Sequence, residues 1–324
     1  MVSPAPAEAA SWRFAAIGTA WEITSAQPLP TAVRAEVAGE IDRIDRVWSR
    51  FRDDSVVTGL ARTGGRHRVD AADRRLLDWY RTLDDLTDGA VTPLVGQILE
   101  DAGYDAAYSL RPRAQITSVP RWDDVIDWDA PELAMNRPAL LDVGAAGKGH
   151  AVDRVAAIVA DCSDEFIVDA GGDMLISPRA TPVRIALEHP GNPAKAIGVV
   201  EMAGGAICAS APNRRTWAPD WHHIVDPRSA APTWEVLATW AIADDAMTAD
   251  GLATALFFTP APVLRAHFGL PSTRVGIDLR TPTGTGALGP VAPGPGAGSG
   301  FHHVTIRRSG AVEHTAVPGL ELFL

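Results

Sequence analysis

Residues 140–154, LLDVGAAGKGHAVDR, constrain this chain more than any other stretch. An apolar run, Ala139–Leu141 and then Val143, carries an acid at Asp142 and passes through Gly144, Gly147 and Gly149. Apolar residues then recur at Ala151, Val152, Val155, Ala156 and Val159, the spacing of an amphipathic helix. A strand, a glycine loop and a helix N-terminus in that order make an anion site, because unpaired backbone N–H groups and the positive helix end face one point. Lys148 adds a full positive charge there. The same residues also fit a tight strand-to-helix turn with a solvated lysine. Two familiar phosphate loops are excluded by spacing. A P-loop has four residues between its glycines and Ser or Thr after the lysine, whereas two residues separate Gly144 from Gly147 and Gly149 follows Lys148. A dinucleotide fingerprint begun at Gly147 fails at Val152, where a third small residue is required.

The chain has 324 residues, 46% hydrophobic and 21% charged, enough for one large domain or two lobes with a real core. A formal net charge of −11 argues against a nucleic-acid surface. For the same reason, any phosphorylated ligand must meet local positive charge or a metal ion. Cys162 and Cys208 are too few and too far apart for a disulfide framework or a zinc site. The N-terminus has no basic n-region with a long apolar core behind it, and no window holds the roughly eighteen apolar residues of a membrane span. The expectation is a soluble, cytoplasmic protein without a membrane anchor.

Residues 1–11, rich in Ala and Pro, read as disordered, and 12–324 as a single domain. Residues 12–24 form an opening strand interrupted at Gly18. Val33, Val37, Ile41, Ile44 and Val47 fall at helical spacing over 31–48, with Thr31 as N-cap. A polar loop covers 49–60, a second helix 71–87 ending at Asp88-Gly89, and a third about 93–101. Residues 112–138 suggest short strands and turns. After the opening stretch, EFIVDAGGDMLI (165–176) reads as strand, turn and strand; 183–190, 196–210 and 222–227 are strand-like; 244–258 is the last strong helix. Gly, Pro and Thr dominate an insertion at about 280–300, and 301–317 closes as a hairpin turning at Ser309-Gly310. Strands and helices mix without regular alternation, which argues α+β.

Asp250 and Thr254 are four apart on the last helix and share a face with Met247 and Phe258. A carboxylate in an apolar stripe needs a partner, for which a metal ion or a cap is the natural choice. Alternatively the helix starts near Thr248, and Asp250 lies in its first turn, favoured by the dipole. In HHIVDP, His222 and His223 point to opposite sides of a strand. His223 can approach Asp226 if the strand bends at Asp226-Pro227, and such a pair can act as a base near neutral pH. His302-His303 form a similar pair, but no ligand spacing supports a zinc site. Asp169 and Asp173, flanking Gly171-Gly172, read as turn acids.

Five blocks in sequence order, LTDGAVTPLVGQILEDAGYD, LDVGAAGKGHAVDR, FIVDAGGDM, HHIVDPRS and MTADGLATALFF, closely resemble those of the ApbE family of FAD:protein FMN transferases. IGT (17–19) and WSRFRDDS (48–55) are similar to its N-terminal blocks. The resemblance runs from about Phe14 to Phe258. It implies an ApbE-like, T-fold-like arrangement of mixed and antiparallel sheets with flanking helices. It also implies that FAD is split at its pyrophosphate and FMN attached to a Ser or Thr hydroxyl of an acceptor protein, with AMP leaving and Mg²⁺ required. Some members mainly hydrolyse FAD to FMN and AMP, and a non-catalytic FAD carrier is a further alternative. By the resemblance, Asp250, Thr254 and the backbone carbonyl of Ala145 hold the metal. Ile17, Gly89, Ala90, Val91, Asp142, Gly147, Lys148, His223 and Ile224 line the FAD site. His223 and Asp250 are then the catalytic residues, with His223 taking the proton of the incoming hydroxyl. Two departures are visible. Val91-Thr92-Pro93-Leu94 stands where members usually have Phe-Asp-Pro-Thr, so an acid of the nucleotide loop is missing, and Ile17 replaces the usual methionine.

Overall fold

The computed structural model describes residues 9–267, 300–317 and 319–323. Most of the segment read as an insertion therefore lies outside the described residues, as do residues 1–8. In chain order the elements begin with β1 (Ala10–Ala16), β2 (Thr19–Ser25), α1 (Thr31–Trp48), α2 (Val56–Thr63), β3 (Gly65–Arg68), α3 (Arg74–Thr87), α4 (Gly96–Asp101) and α5 (Trp122–Val125). Next come β4 (Ile126–Asp129), β5 (Glu132–Met135), α6 (Gly147–Ala160), β6 (Phe166–Ala170), β7 (Asp173–Ile176), β8 (Val183–His189), β9 (Asn192–Met202) and β10 (Gly205–Ser210). Four two-residue strands follow: β11 (Thr216–Trp217), β12 (Trp221–His222), β13 (Val225–Asp226) and β14 (Ala231–Pro232). The last elements are β15 (Val236–Ala243), α7 (Ala246–Ala255), α8 (Ala261–His267), β16 (His302–Arg307), β17 (Val312–His314) and β18 (Leu320–Leu322).

The fold is α+β, organised on an antiparallel sheet of eight strands in the order β1-β2-β6-β7-β10-β15-β16-β17. The period-2 alternation of its strands sorts residues by size. Ala206 and Cys208 of β10, with Ala241 and Ala243 of β15, face the helices, where small side chains let α6 and α7 lie close. Ile207, Trp240 and Ile242 face the other way, onto the three-stranded sheet β18-β9-β8. Among the described residues no helix is long and apolar enough to cross a membrane.

Several local readings are corrected by the coordinates. The first strand begins at Ala10, because it pairs in register with Ser25, so residues 10 and 11 are ordered. Pro30, not Thr31, occupies the cap position of α1, without a side-chain cap. The supposed polar loop 49–60 contains the start of α2, capped by Ser55, whose hydroxyl accepts from the Thr58 N–H. The helix expected at 71–87 starts at Arg74, and the one at 93–101 is a 3₁₀ turn leading into α4.

Three helices are tied by one buried acid. Asp73, before α3, accepts from both Arg43 Nη atoms at 2.8 Å, from Trp48 Nε1 at 2.9 Å, and lies 2.9 Å from His150 Nε2. Although burial opposes its charge, these partners hold its carboxyl well below the usual range. Where α6 crosses α7, the chain needs a glycine. A Cβ at Gly149 would stand 2.2 Å from the Ala246 carbonyl oxygen, whereas one at Gly147 meets only the Val143 side chain at 2.9 Å. Gly149→Ala should therefore lower stability by about 2–3 kcal/mol, the upper part of the overpacking range, and Gly147→Ala by less than about 1 kcal/mol. Urea denaturation of both variants checks the ranking, and equal losses would contradict it.

Candidate active site

The end of the 140–154 stretch is built as a helix N-terminus, but its N–H groups are already used inside the chain. Gly144 donates to Asp142 Oδ1 at 2.7 Å, Gly147 to the Val143 carbonyl at 2.7 Å, and Gly149 to Asp250 Oδ2 at 2.8 Å. Ala145 and Ala146 both donate to the Tyr80 hydroxyl, at 3.0 and 3.2 Å. Five of the six N–H groups of residues 144–149 are thus engaged within the chain, which leaves few donors for an external phosphate. An anion does sit at this helix end, and it is the chain's own Asp250 carboxylate.

Lys148 is likewise no solvated lysine. Its Nζ pairs with Asp173, and its side chain is only 26% exposed. Asp173 is corrected from a turn acid to a buried partner: β7 points it toward the helical face, with Leu175, while Met174 and Ile176 face the opposite sheet. Asp250 is buried on α7. Burial first, and then the charge of Asp173, push its carboxyl far above the ordinary value, opposed by Lys148 and the Gly149 N–H. Burial alone would lower Lys148, but Asp173 and Asp250 hold it above its usual value. The ammonium thus pairs with Asp173 and lies in the field of Asp250. One turn on, Thr254 Oγ1 lies 3.4 Å from Ser210 Oγ of β10. The alternative start of α7 near Thr248 is not what forms: Asp245 is the N-cap, and Asp153 of α6 accepts from the N–H groups of Ala246 and Met247.

A second polar group lies around Asp142. Its Oδ2 accepts from Arg50 Nε at 2.5 Å, and its own N–H donates to the Pro93 carbonyl at 2.7 Å, which brings the loop after Gly89 against it. Ala90, Val91 and Thr92 of that loop are buried. The Thr92 hydroxyl favours the charged form of Asp84 of α3, so a carboxylate acts on this loop from outside it. Tyr80 joins the two polar groups, since burial and then the charges of Asp142 and Asp250 raise its hydroxyl well above the usual value.

His223 is near Asp142 and Arg215 in electrostatic terms. Burial, and then the Arg215 charge, lower its imidazole to about 3, so the ring is neutral at pH 7. Its Nδ1 is buried without a hydrogen-bond partner. The expected pairing with Asp226 does not form: Asp226 takes both Nε and Nη2 of Arg228, and Arg228 Nη1 reaches the Thr87 carbonyl. His222 faces the Thr233 carbonyl at 2.8 Å, while Ile224 is buried beside Val236 and Phe257. Ile17, at φ 41°, makes the β1–β2 turn with Gly18. That turn meets the β6–β7 turn, where a Cβ at Gly171 would stand 2.2 Å from Thr19 Oγ1.

Among the described residues no three His, Cys, Asp or Glu side chains converge on a metal-sized point. The expected donor set is of another kind: the Asp250 carboxylate, the Thr254 hydroxyl and the Ala145 carbonyl, all hard oxygens. Asp250 and Thr254 are of that type, Ser210 adds a hydroxyl 3.4 Å from Thr254, and such oxygens suit a hard divalent cation such as Mg²⁺. Sequence reasoning missed Asp173, Tyr80, Arg50 and Asp84, which act on the site through contacts between distant segments.

The neutral His223 has a measurable consequence. Its folded value, about 3, lies below the ordinary 6.5, so between these pH values the unfolded chain binds more protons than the native one. Stability from the neutral ring is complete above about pH 6.5 and is lost as pH falls toward 3. The denaturation midpoint should fall less steeply over that window in His223→Gln than in the wild type. Parallel pH dependences would contradict a buried, neutral His223.

Comparison with known proteins places these residues in context. A sequence model described as the ApbE family matches residues 17–267. An FAD:protein FMN transferase of Rhodobacter capsulatus is 26% identical over 275 residues, covering 79% of this chain and 52% of that protein. The chain thus spans about half the length of that relative. One from Klebsiella pneumoniae is 24% identical, covering 74% of this chain and 75% of its own. Among solved structures, the ApbE protein of Thermotoga maritima superposes with a TM-score of 0.74 at 22% identity, covering 95% of this chain and 97% of that one. The flavin transferase ApbE of Vibrio cholerae gives 0.72 at 19% identity, covering 97% and 98%.

Proposed function

The chain belongs to the ApbE family, and from that premise we propose that it is a Mg²⁺-dependent FAD:protein FMN transferase. The observation that carries the reading is the buried group of Asp250, Asp173 and Lys148, joined through Tyr80 to Asp142. Asp250 serves the α6 N-terminus through the Gly149 N–H, but that capping does not call for a second buried acid and a lysine beside it. They make sense as a seat for a cation and a phosphorylated substrate.

In this reading FAD lies across the β1–β2 turn at Ile17, the loop at Gly89, Ala90 and Val91, the stretch from Asp142 through Gly147 and Lys148, and His223 with Ile224. Lys148, a quarter exposed, turns part of its charge toward the pyrophosphate while remaining anchored by Asp173. Asp250, Thr254 and the Ala145 carbonyl are the residues to hold Mg²⁺, which when bound neutralises charge on the bridging phosphate oxygens. The acceptor hydroxyl oxygen attacks the phosphorus of the FMN half. The bridging P–O bond breaks, and AMP departs with the electron pair. Neutral His223, its Nδ1 without a partner, takes the hydroxyl proton. A low proton affinity suits a ring that must not be protonated beforehand. The acceptor is a protein with a Ser or Thr in a flavinylation motif.

The test is incubation with FAD, Mg²⁺ and candidate acceptors, followed by mass analysis for added FMN and assay of free AMP. Asp250→Asn should nearly abolish AMP release with the fold retained. His223→Ala should keep FAD affinity within about threefold and lose transfer by about 10²–10⁴, the usual range for one acid–base group. Wild-type turnover by Asp250→Asn would remove the cation seat from the mechanism. AMP release to water without FMN attached to any acceptor would make the protein an FAD pyrophosphatase, and FAD bound without AMP release would make it a carrier.

A further inference from the structure

A cleft of about 820 Å³ adjoins the site without including it. α2, α4 and the segment 138–140 bound it, and none of Ile17, Gly89, Ala90, Val91, Asp142, Gly147, Lys148, His223, Ile224, Asp250 and Thr254 lines it. Arg50 is the link. Its side chain is 1% exposed, its Nε holds Asp142, its Nη1 holds the Tyr104 carbonyl at 2.6 Å, and its Nη2 is buried without a partner. Three further arginines, Arg52, Arg62 and Arg113, line the same cleft together with the acids Asp53, Asp54 and Glu100, so what matters is which guanidinium groups remain unpaired. Arg52 and Arg113 are engaged by Asp54 and Asp101, whereas Arg62 is exposed and has no ion-pair partner among the described residues.

The cleft also has a strained aromatic rim. Phe51, which lines it, stacks on Tyr108 with ring centroids 5.4 Å apart and planes 8° apart. Tyr108 is 52% exposed and Leu110 42%, and both hold positive φ, 49° and 53°. Such a conformation is costly for large residues and persists only where surrounding bonds enforce it. Here they do: Leu110 donates to the Gly103 carbonyl at 2.8 Å and Ser109 to Asp105 Oδ1 at 2.9 Å. A rigidly held, solvent-facing Tyr and Leu beside unpaired guanidinium donors form a surface suited to a partner, not to the chain's own core.

We propose that this cleft docks the acceptor protein, as an extended segment that presents a carboxylate to Arg62 and the free edge of Arg50, packs on Tyr108 and Leu110, and leads its hydroxyl past Arg50 toward Asp142. The proposal rests on the transferase reading above. The geometry carries it: Arg50 spans from the cleft to the site, so a segment seated outside has a short route to the chemistry.

The probe is a peptide in which Asp is followed shortly by Thr-Gly-Ala-Thr, with FAD and Mg²⁺. Arg62→Glu and Tyr108→Gly should each raise the KM for the peptide about tenfold, the scale of a rim charge or one aromatic contact. FAD Kd and AMP release to water should stay within about twofold of wild type. Changing the peptide's Asp to Lys should restore part of the loss in Arg62→Glu alone. Unchanged KM in both variants, with FMN transferred by the wild type, overturns the cleft and leaves the transferase reading intact. A parallel loss of FAD affinity overturns it too, since the cleft would then hold part of FAD. AMP release by the wild type with no FMN transferred to the peptide or to any protein acceptor overturns the transferase reading, and the docking cleft with it.

Discussion

Lys148 pairs with Asp173 while the N–H of the next residue, Gly149, donates to Asp250, and both contacts form only when a helix start, a hairpin and a second helix are in register. α6 supplies the lysine, the β6–β7 hairpin turns Asp173 to the helical face, and α7 brings Asp250 under the first turn of α6. Breaking any one of these leaves an uncompensated buried charge, which costs far more than the intact group contributes. The dependence is mutual. Asp250 of α7 accepts from the N-terminus of α6, and Asp153 of α6 accepts from the N-terminus of α7. Each helix supplies the carboxylate that satisfies the other's open N–H groups, and Gly149 allows the approach. The remainder of the fold holds this crossing: small residues of β10 and β15 beneath it, and Asp73 locking α1 and α3 to α6 beside it.

How much of this was legible in the sequence depends on the distance over which each contact acts. The 3.6-residue spacing of Val37, Ile41 and Ile44 marked α1, and the glycine pair marked the β6–β7 turn, because both signals are local. α2 escaped because it is eight residues long and begins within a run of polar residues, with only Val57 and Leu60 buried. At the site, the same-face placement of Asp250 and Thr254 was readable from a spacing of four. Its partner was not, since the N–H of Gly149 lies 101 positions away. Asp173 looked like any turn acid. Only strand register reveals that it faces the helices, and only the sheet order brings Lys148, 25 positions away, to it. The reading of residues 144–149 as an anion site meets one anion the sequence does not point to, the chain's own Asp250. Sequence alone registers that a helix N-terminus attracts negative charge, but not that a carboxylate of the same chain arrives first.

That substitution reshapes how a pyrophosphate would be recognised here. With its N–H groups bound to Asp142, Tyr80, Val143 and Asp250, the glycine loop has few donors left to cradle phosphate oxygens. Lys148 is already paired with Asp173 and lies in the field of Asp250. The chain as a whole carries −11, and FAD's pyrophosphate brings further negative charge at neutral pH. Like charges this close in a partly buried setting repel by several kcal/mol at an effective dielectric near 20. On the proposed reading, substrate and cation therefore bind as a unit, each lowering the cost of seating the other. The carboxylate excess disfavours the nucleotide alone and favours it with its metal. On the proposed reading, the acids that make the free site costly would be the source of its selectivity, favouring nucleotide that arrives with a divalent ion over bare anions.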